Sequence, residues 1–142
     1  MTTLLDVNVL IALLDPHHVK HDDAHAWFEK NAGDGWATCP LTENGLVRVL
    51  GQPRYPKSPG SIEAIANLLA IFTESVNHLF WADDITILDE RRFIRSRLGP
   101  SARLTDAYLL ALAVKNGGRF ATFDQKLSAA AVIGGEEALV LL

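Results

Sequence analysis

Apolar and polar positions along the chain follow the rhythms of strands and helices in turn. The run Leu4, Leu5, Asp6, Val7, Asn8, Val9, Leu10, Ile11, Ala12, Leu13, Leu14 is short, apolar and interrupted by two polar residues, a pattern that predicts a buried strand passing straight into a helix. Asp15 and Pro16 end that helix, because the residue before proline avoids helical backbone angles. From His21 to Asn31, Ala24, Trp27 and Phe28 recur at helical spacing, with Asp22 and Asp23 early and Lys30 late. This predicts a short amphipathic helix whose charges suit its dipole. Trp36 to Cys39 predicts a second strand closed by Pro40, and Thr42 reads as the cap of a helix running to Leu50. The proline-rich stretch from Gly51 to Pro59 is a loop. After it, Ile62, Ile65, Ala66, Leu69, Phe72 and Val76 repeat at three and four, which predicts a helix capped by Ser61.

In the second half, His78 to Ala82 predicts a strand followed by the acidic turn Asp83–Asp84, and the arginine-rich segment from Asp89 to Leu98 predicts a helix ending at Gly99 and Pro100. Thr105 and Asp106 open an apolar helix stopped by Gly117 and Gly118. Arg119 to Thr122 is a buried strand with Phe123 and Asp124 at its end; Gln125 to Ala131 predicts a short helix, and Ala138 to Leu142 a last strand. Strands alternating with helices imply an α/β fold of three layers, a central and mainly parallel sheet flanked by helices. A length of 142 residues fits one domain, residues 1–142.

Composition narrows the class without changing this layout. Apolar content of 49% and charged content of 21% are globular values, not those of a disordered chain. The single cysteine, Cys39, excludes an intramolecular disulfide and fits a reducing compartment. With no leader-like segment and no apolar run near the ~20 residues a membrane span needs, a cytoplasmic protein is expected. The net charge of -4 does not advertise nucleic-acid binding, although a metal site that must hold several acids would itself lower the total.

Four acids stand where elements change type: Asp6 after the first strand, Glu43 and Asp106 in the first turns of two helices, and Asp124 after a late strand. In a parallel sheet the strand carboxyl ends and helix amino ends face one edge, where ligands bind. The four are therefore expected to converge. Hard divalent cations such as Mg2+ take oxygen ligands; they polarise phosphoryl oxygens and turn water into a nucleophile near neutral pH. Clustered carboxylates without a cation repel one another and cost stability. Singly, each acid has a plainer reading: Asp6 or Asn8 as a helix cap, Glu43 and Asp106 as complements to helix dipoles, Asp124 as a turn residue. Capping alone does not explain why all four fall on the same edge.

The segments Leu5-Asp6-Val7-Asn8-Val9, Thr42-Glu43, Leu104-Thr105-Asp106-Ala107 and Ala121-Thr122-Phe123-Asp124 resemble, in this order, the successive motifs of PIN domains. Length and helix order are similar to those of the VapC-type ribonucleases of bacterial toxin and antitoxin pairs. The resemblance implies a metal-dependent endoribonuclease with Asp6 and Asp106 as the principal Mg2+ or Mn2+ ligands. Glu43 would share metal binding or orient the water, Asp124 would complete the pocket, and Asn8 and Thr122 would support the carboxylates by hydrogen bonding. It also implies an RNA substrate, a homodimer, and inhibition by a small antitoxin protein.

Other candidates carry weaker signals. Arg91, Arg92, Arg95, Arg97 and Arg103, together with Arg54 and Lys57 on the proline-rich loop, are candidates to neutralise RNA phosphates. The competing reading is a solvated face, since the arginines do not form one helical stripe. His21 and His25, four apart beside His17 and His18, have the spacing of zinc ligands, but no partner motif accompanies them. Trp27, Trp36 and Trp81 fall at apolar positions and read as core. Two other functions compete with the nuclease. A phosphohydrolase of the haloacid dehalogenase type also begins with an aspartate after its first strand, but needs a second where this chain has Asn8. A non-enzymatic dimeric module would use the acids to bind a basic peptide.

Overall fold

The computed structural model describes residues 1–142. Strands β1 (Thr3–Leu5), β2 (Trp36–Thr38), β3 (His78–Phe80), β4 (Arg119–Thr122) and β5 (Leu139–Leu141) form one sheet in the order β3-β2-β1-β4-β5. Every pairing is parallel. Helices α1 (Val7–Leu14), α2 (His21–Asn31), α3 (Pro40–Leu50), α4 (Ile62–Thr73), α5 (Leu104–Lys115) and the single turn α6 (Gly135–Ala138) complete a three-layer α/β architecture.

Successive side chains of a strand point to opposite faces, and the core divides accordingly. Leu4, Ala37 and Phe120 pack with α5 on one face; Leu5, Trp36 and Ala121 pack with α1, α3 and α4 on the other. The central strand β1 is buried throughout, which is why Leu4 and Leu5 follow one another without apolar/polar alternation. Gly45 sets the closest crossing of α3 and α1. A Cβ at this position would lie 2.8 Å from Val7 Cγ2.

Four expected elements differ. The α3 helix begins at Pro40, with Cys39 as its N-cap residue and not Thr42. Proline is well placed in a first helical turn, where its missing N–H would have no partner anyway. Thr42 instead turns back, its hydroxyl accepting from the Cys39 N–H at 3.0 Å. The α4 helix stops at Thr73, leaving Val76 80% exposed beyond it. The arginine segment is not a regular helix. The Asp89 carboxylate accepts from the Arg91 N–H, a local bond that competes with helix formation. Phe93 then plugs the core and bridges Val132 in an antiparallel contact, so only Arg95–Arg97 makes a 3-10 turn. Gln125 to Ala131 is likewise a series of turns, held by the Asp124 carboxylate accepting from the Lys126 N–H and Ser128 Oγ from the Ala130 N–H.

Candidate active site

Asp6 leaves β1 and caps α1, its Oδ1 accepting from the Val7 N–H at 2.7 Å. Asp124 lies just past β4, Asp106 in the first turn of α5, and Glu43 in the first turn of α3, which follows β2. All four stand at the carboxyl edge of the sheet or at a helix start, but they do not form one cluster.

Thr122, fully buried at the end of β4, organises the centre. Its hydroxyl donates to Asp6 Oδ2 at 2.6 Å and accepts from Asn8 Nδ2 at 3.1 Å and from the Asp124 N–H at 3.0 Å. Asn8 Oδ1 in turn accepts from the Phe123 N–H. Both ends of the Asn8 amide are thereby engaged, and neither is free to act as an acid. One hydroxyl fixes Asp6, Asn8 and the backbone of Asp124 together.

Asp6 is 7% exposed. Burial pushes its carboxyl up, the Thr122 hydrogen bond pulls it back, and the charges of Asp106 and Asp124 add repulsion, leaving it raised from 3.8 to about 6. Burial and Asp124 also raise Asp106, against a lowering pull from Arg103. These mutual effects show Asp6, Asp106 and Asp124 within electrostatic range of one another. Two side chains are drawn aside. Arg103 Nη1 donates to Asp124 Oδ2 at 2.6 Å, and Thr38 Oγ1 donates to Glu43 Oε1 at 2.8 Å. As a result no three His, Cys, Asp or Glu side chains close into a ready-made metal cage, a departure from the expected four-carboxylate pocket. The donor chemistry still fits a hard cation. Mg2+ is commonly held by one or two carboxylates with water filling the rest of its shell, and Asp6 with Asp106, which raises the Asp6 carboxyl, supplies such a pair.

Sequence reasoning overlooked the fourth acid's support. The Thr38 hydroxyl proton goes to Glu43, so His78 Nε2, 2.8 Å away, must be the N–H that donates to Thr38 Oγ1. His78 packs against Trp36 with their rings tilted by 54°, and burial lowers its pKa despite the nearby Glu43 charge. The available signal was a polar residue inside an otherwise apolar strand, Thr38 in β2 as much as Thr122 in β4.

The remaining candidates are placed elsewhere or otherwise engaged. Arg91 and Arg92 pair with Asp89, and Arg95 with Glu90. Arg54 belongs to the loop tied by the Tyr55 hydroxyl to Asp15. Asp15 closes the far end of α1 from Asp6, a span of roughly 13 Å at 1.5 Å per residue. His21 Nδ1 and His25 Nε2 face the Ala12 and Leu13 carbonyls at 2.7 and 3.0 Å, completing the last turn of α1. Trp36 and Trp81 are core, and Trp27 packs half-buried against it.

The PIN domain family model matches residues 3–133. Ribonuclease VapC44 of Mycobacterium tuberculosis is 52% identical over 134 residues, 94% of each chain. Two solved structures share the fold. A crystal structure of M. tuberculosis VapC20, described as a sarcin-ricin loop cleaving toxin, has a TM-score of 0.65 at 17% identity, covering 92% of this chain and 96% of that one. VapBC2 from Rickettsia felis, bound to a DNA fragment from its promoter, has a TM-score of 0.57 at 15% identity, covering 89% and 90%. With a matching family model over most of its length and an identity of 52% to a VapC ribonuclease, this chain belongs to the PIN-domain family, among the VapC ribonucleases.

Proposed function

We propose that residues 1–142 form one PIN domain acting as a divalent-metal-dependent endoribonuclease, the toxin half of a toxin and antitoxin pair. The observation that carries this reading is Asp6, Asp106 and Asp124 within electrostatic range of one another at one edge of the sheet, with Asp6 and the Asp124 backbone fixed by the buried Thr122 hydroxyl. Mg2+ or Mn2+, when bound, supplies Lewis-acid polarisation of a phosphoryl oxygen and a more acidic water.

Asp6 and Asp106 would hold the cation, with Thr122 and the Val7 N–H fixing the orientation of the Asp6 carboxylate. Asn8 locks Thr122 in that orientation. Asp124, anchored by Arg103, completes the acidic surround. Glu43, steadied through Oε1 by Thr38, would share metal binding or orient the attacking water.

Partners follow from the same reading. The antitoxin is a small protein, as expected of a VapBC pair, and cytoplasmic residence suits both an RNA substrate and the free Cys39 thiol. No helix is long and apolar enough to cross a membrane. Ile62 and Ile71 on α4, with Leu79 and Phe80 on the edge strand β3, are exposed apolar side chains that support a homodimer covering this side; light scattering of the purified protein tests it.

The function is tested by incubating purified, partner-free protein with total RNA in Mg2+ or Mn2+ and in EDTA, beside Asp6→Asn and Asp106→Asn. Discrete fragments that disappear with EDTA and with either substitution are expected. Cleavage that persists in EDTA and in both variants would overturn the assignment.

A further inference from the structure

We propose that a cleft beside Asp106, rimmed by Arg97, Arg103 and Lys126, is the subsite that takes the backbone phosphate of the RNA nucleotide flanking the scissile bond. The identity of this ligand rests on the ribonuclease reading above. The cleft has a volume of about 230 Å³, and Leu98 and Leu127 contribute apolar wall. That is below the ~300–1,000 Å³ of sites that enclose drug-sized ligands. It has room for a phosphate with its sugar, not for a stack of bases.

Charge is what marks it out. The chain as a whole carries a net -4, yet three cations open into the same small cleft as one carboxylate. Elsewhere in the arginine segment the positive charge is cancelled locally, by Asp89 and Glu90. Among the five ion pairs of the fold none involves Arg97 or Lys126, and the partner of Arg103 is Asp124. The cleft therefore keeps two uncompensated positive charges beside the carboxylate site. An anion entering it meets them before it meets Asp106.

The arrangement is built, not incidental. The Ile94 N–H donates to the Ala131 carbonyl and the Ile133 N–H to the Arg92 carbonyl, zipping the segment that carries Arg97 to the turns that carry Lys126. The Asp124 carboxylate, which holds Arg103 through Oδ2, accepts from the Lys126 N–H through Oδ1. One residue of the acidic site thus holds both the Arg103 guanidinium and the backbone from which Lys126 projects. A strand of RNA whose reacting phosphate lies at Asp6 and Asp106 has its neighbouring phosphate delivered to these side chains.

The test uses full-length protein carrying Asp6→Asn, which separates binding from cleavage, and a fluorescein-labelled single-stranded RNA decamer of mixed sequence followed by anisotropy from 50 to 300 mM NaCl. Arg97→Ala and Lys126→Ala remove exposed side chains. Arg119→Ala removes a charge at the start of β4, the opposite edge of the sheet. Combining Arg97→Ala with Lys126→Ala is expected to weaken binding severalfold at low salt and to flatten the plot of log affinity against log salt by about 0.7, the value for one vacated phosphate contact on a single strand. Lys126→Arg should keep the wild-type slope, as should Arg119→Ala. An unchanged slope in the double variant, or an equal change with Arg119→Ala, would overturn the subsite. So would competition by a pentaglutamate peptide as strong as that by an RNA pentamer, which would give the cleft to an acidic protein segment. RNA cleavage by the protein with Asp6 intact is read in parallel: no cleavage with the slopes still separated removes the ribonuclease reading and leaves the phosphate cleft, whereas cleavage with merged slopes removes the cleft alone.

Discussion

Ionised Asp6 makes the metal-free fold less stable than it would be with a neutral side chain there, and the size of that effect follows from its surroundings. A rise from 3.8 to about 6, at about 1.4 kcal/mol per pH unit, amounts to about 3 kcal/mol. This is a large fraction of the ~5–15 kcal/mol that holds a domain together. The sign follows from proton binding. Between pH 3.8 and about 6 the folded carboxyl binds the proton more tightly than the unfolded one, so stability in EDTA is highest below this window and falls as pH rises through it. Asp6→Asn removes the titration. It also faces an amide against the Thr122 hydroxyl, which already accepts from Asn8 and the Asp124 N–H, at the cost of a charge-assisted bond worth roughly 1.5–3 kcal/mol. At pH 7 the two effects nearly offset, so the informative quantity is the difference between the two pH curves. Urea unfolding followed by tryptophan fluorescence from pH 4 to 7, in EDTA, should give a wild-type stability that drops by about 2 kcal/mol more than the variant's, most of the full effect. Mg2+ at a hundred times its dissociation constant should return about 2.7 kcal/mol to the wild type at pH 7 and much less to the variant. Parallel pH curves for the two proteins would refute the argument that Asp6 is held ionised against burial and its neighbours.

Three further outcomes follow. Thr38→Val strips the hydroxyl shared by Glu43 and His78; RNA cleavage should fall at least tenfold with Mg2+ affinity, measured by calorimetry, nearly unchanged, and stability should drop by about 1–3 kcal/mol from the unpaired buried groups. Arg103→Ala frees Asp124 of a competing cation, and for a partly exposed pair worth up to about 1 kcal/mol Mg2+ should bind up to about fivefold more tightly; weaker binding in the same titration would count against competition. Tyr55→Phe removes the hydroxyl that, with the His17 N–H, outweighs burial and holds the Asp15 carboxyl below its ordinary 3.8. The loss of about 1.5–3 kcal/mol expected at pH 7 should shrink as pH falls below 3.8, because a depressed carboxyl contributes its stability above that value and loses it on protonation.

The layered fold was legible because each half of it has its own rhythm. The apolar run through β1 and the small-residue helix α5 can only be buried, and alternation of strand with helix leaves a parallel sheet as the simple arrangement. The sites of Asp6, Asp106 and Asp124 could be placed for the same reason, since position at a strand end or helix start fixes the edge on which an acid lies. What the pattern could not supply was side-chain direction. Nothing in the sequence around Glu43 says that Thr38 will draw it toward His78, and nothing around Arg103 says that it will turn to Asp124. Those contacts join residues 5, 40 and 21 positions apart, one of them across a pair of strands. The arginine segment misled for a related reason. Its charges suggested a helix face, but the decisive residue was Phe93, whose burial at 2% exposure and bridge to Val132 outweigh the helix propensity of its neighbours.

The contest between a capping aspartate and a metal ligand at Asp6 also resolves differently from the way the sequence frames it. A carboxylate offers about four lone-pair positions on two oxygens. In this fold one is used on Oδ1 by the Val7 N–H and one on Oδ2 by Thr122, so the cap consumes only part of the group. The cap also serves the ligand. It sets the negative charge against the positive end of α1 and, with Thr122, is what keeps the pKa of a 7% exposed carboxyl from climbing further above about 6. Without those two donors burial would raise the Asp6 carboxyl further, and a protonated carboxyl is a poor ligand for Mg2+. Capping and the proposed cation binding are therefore compatible at this position: the cap's hydrogen bond helps a buried aspartate stay charged.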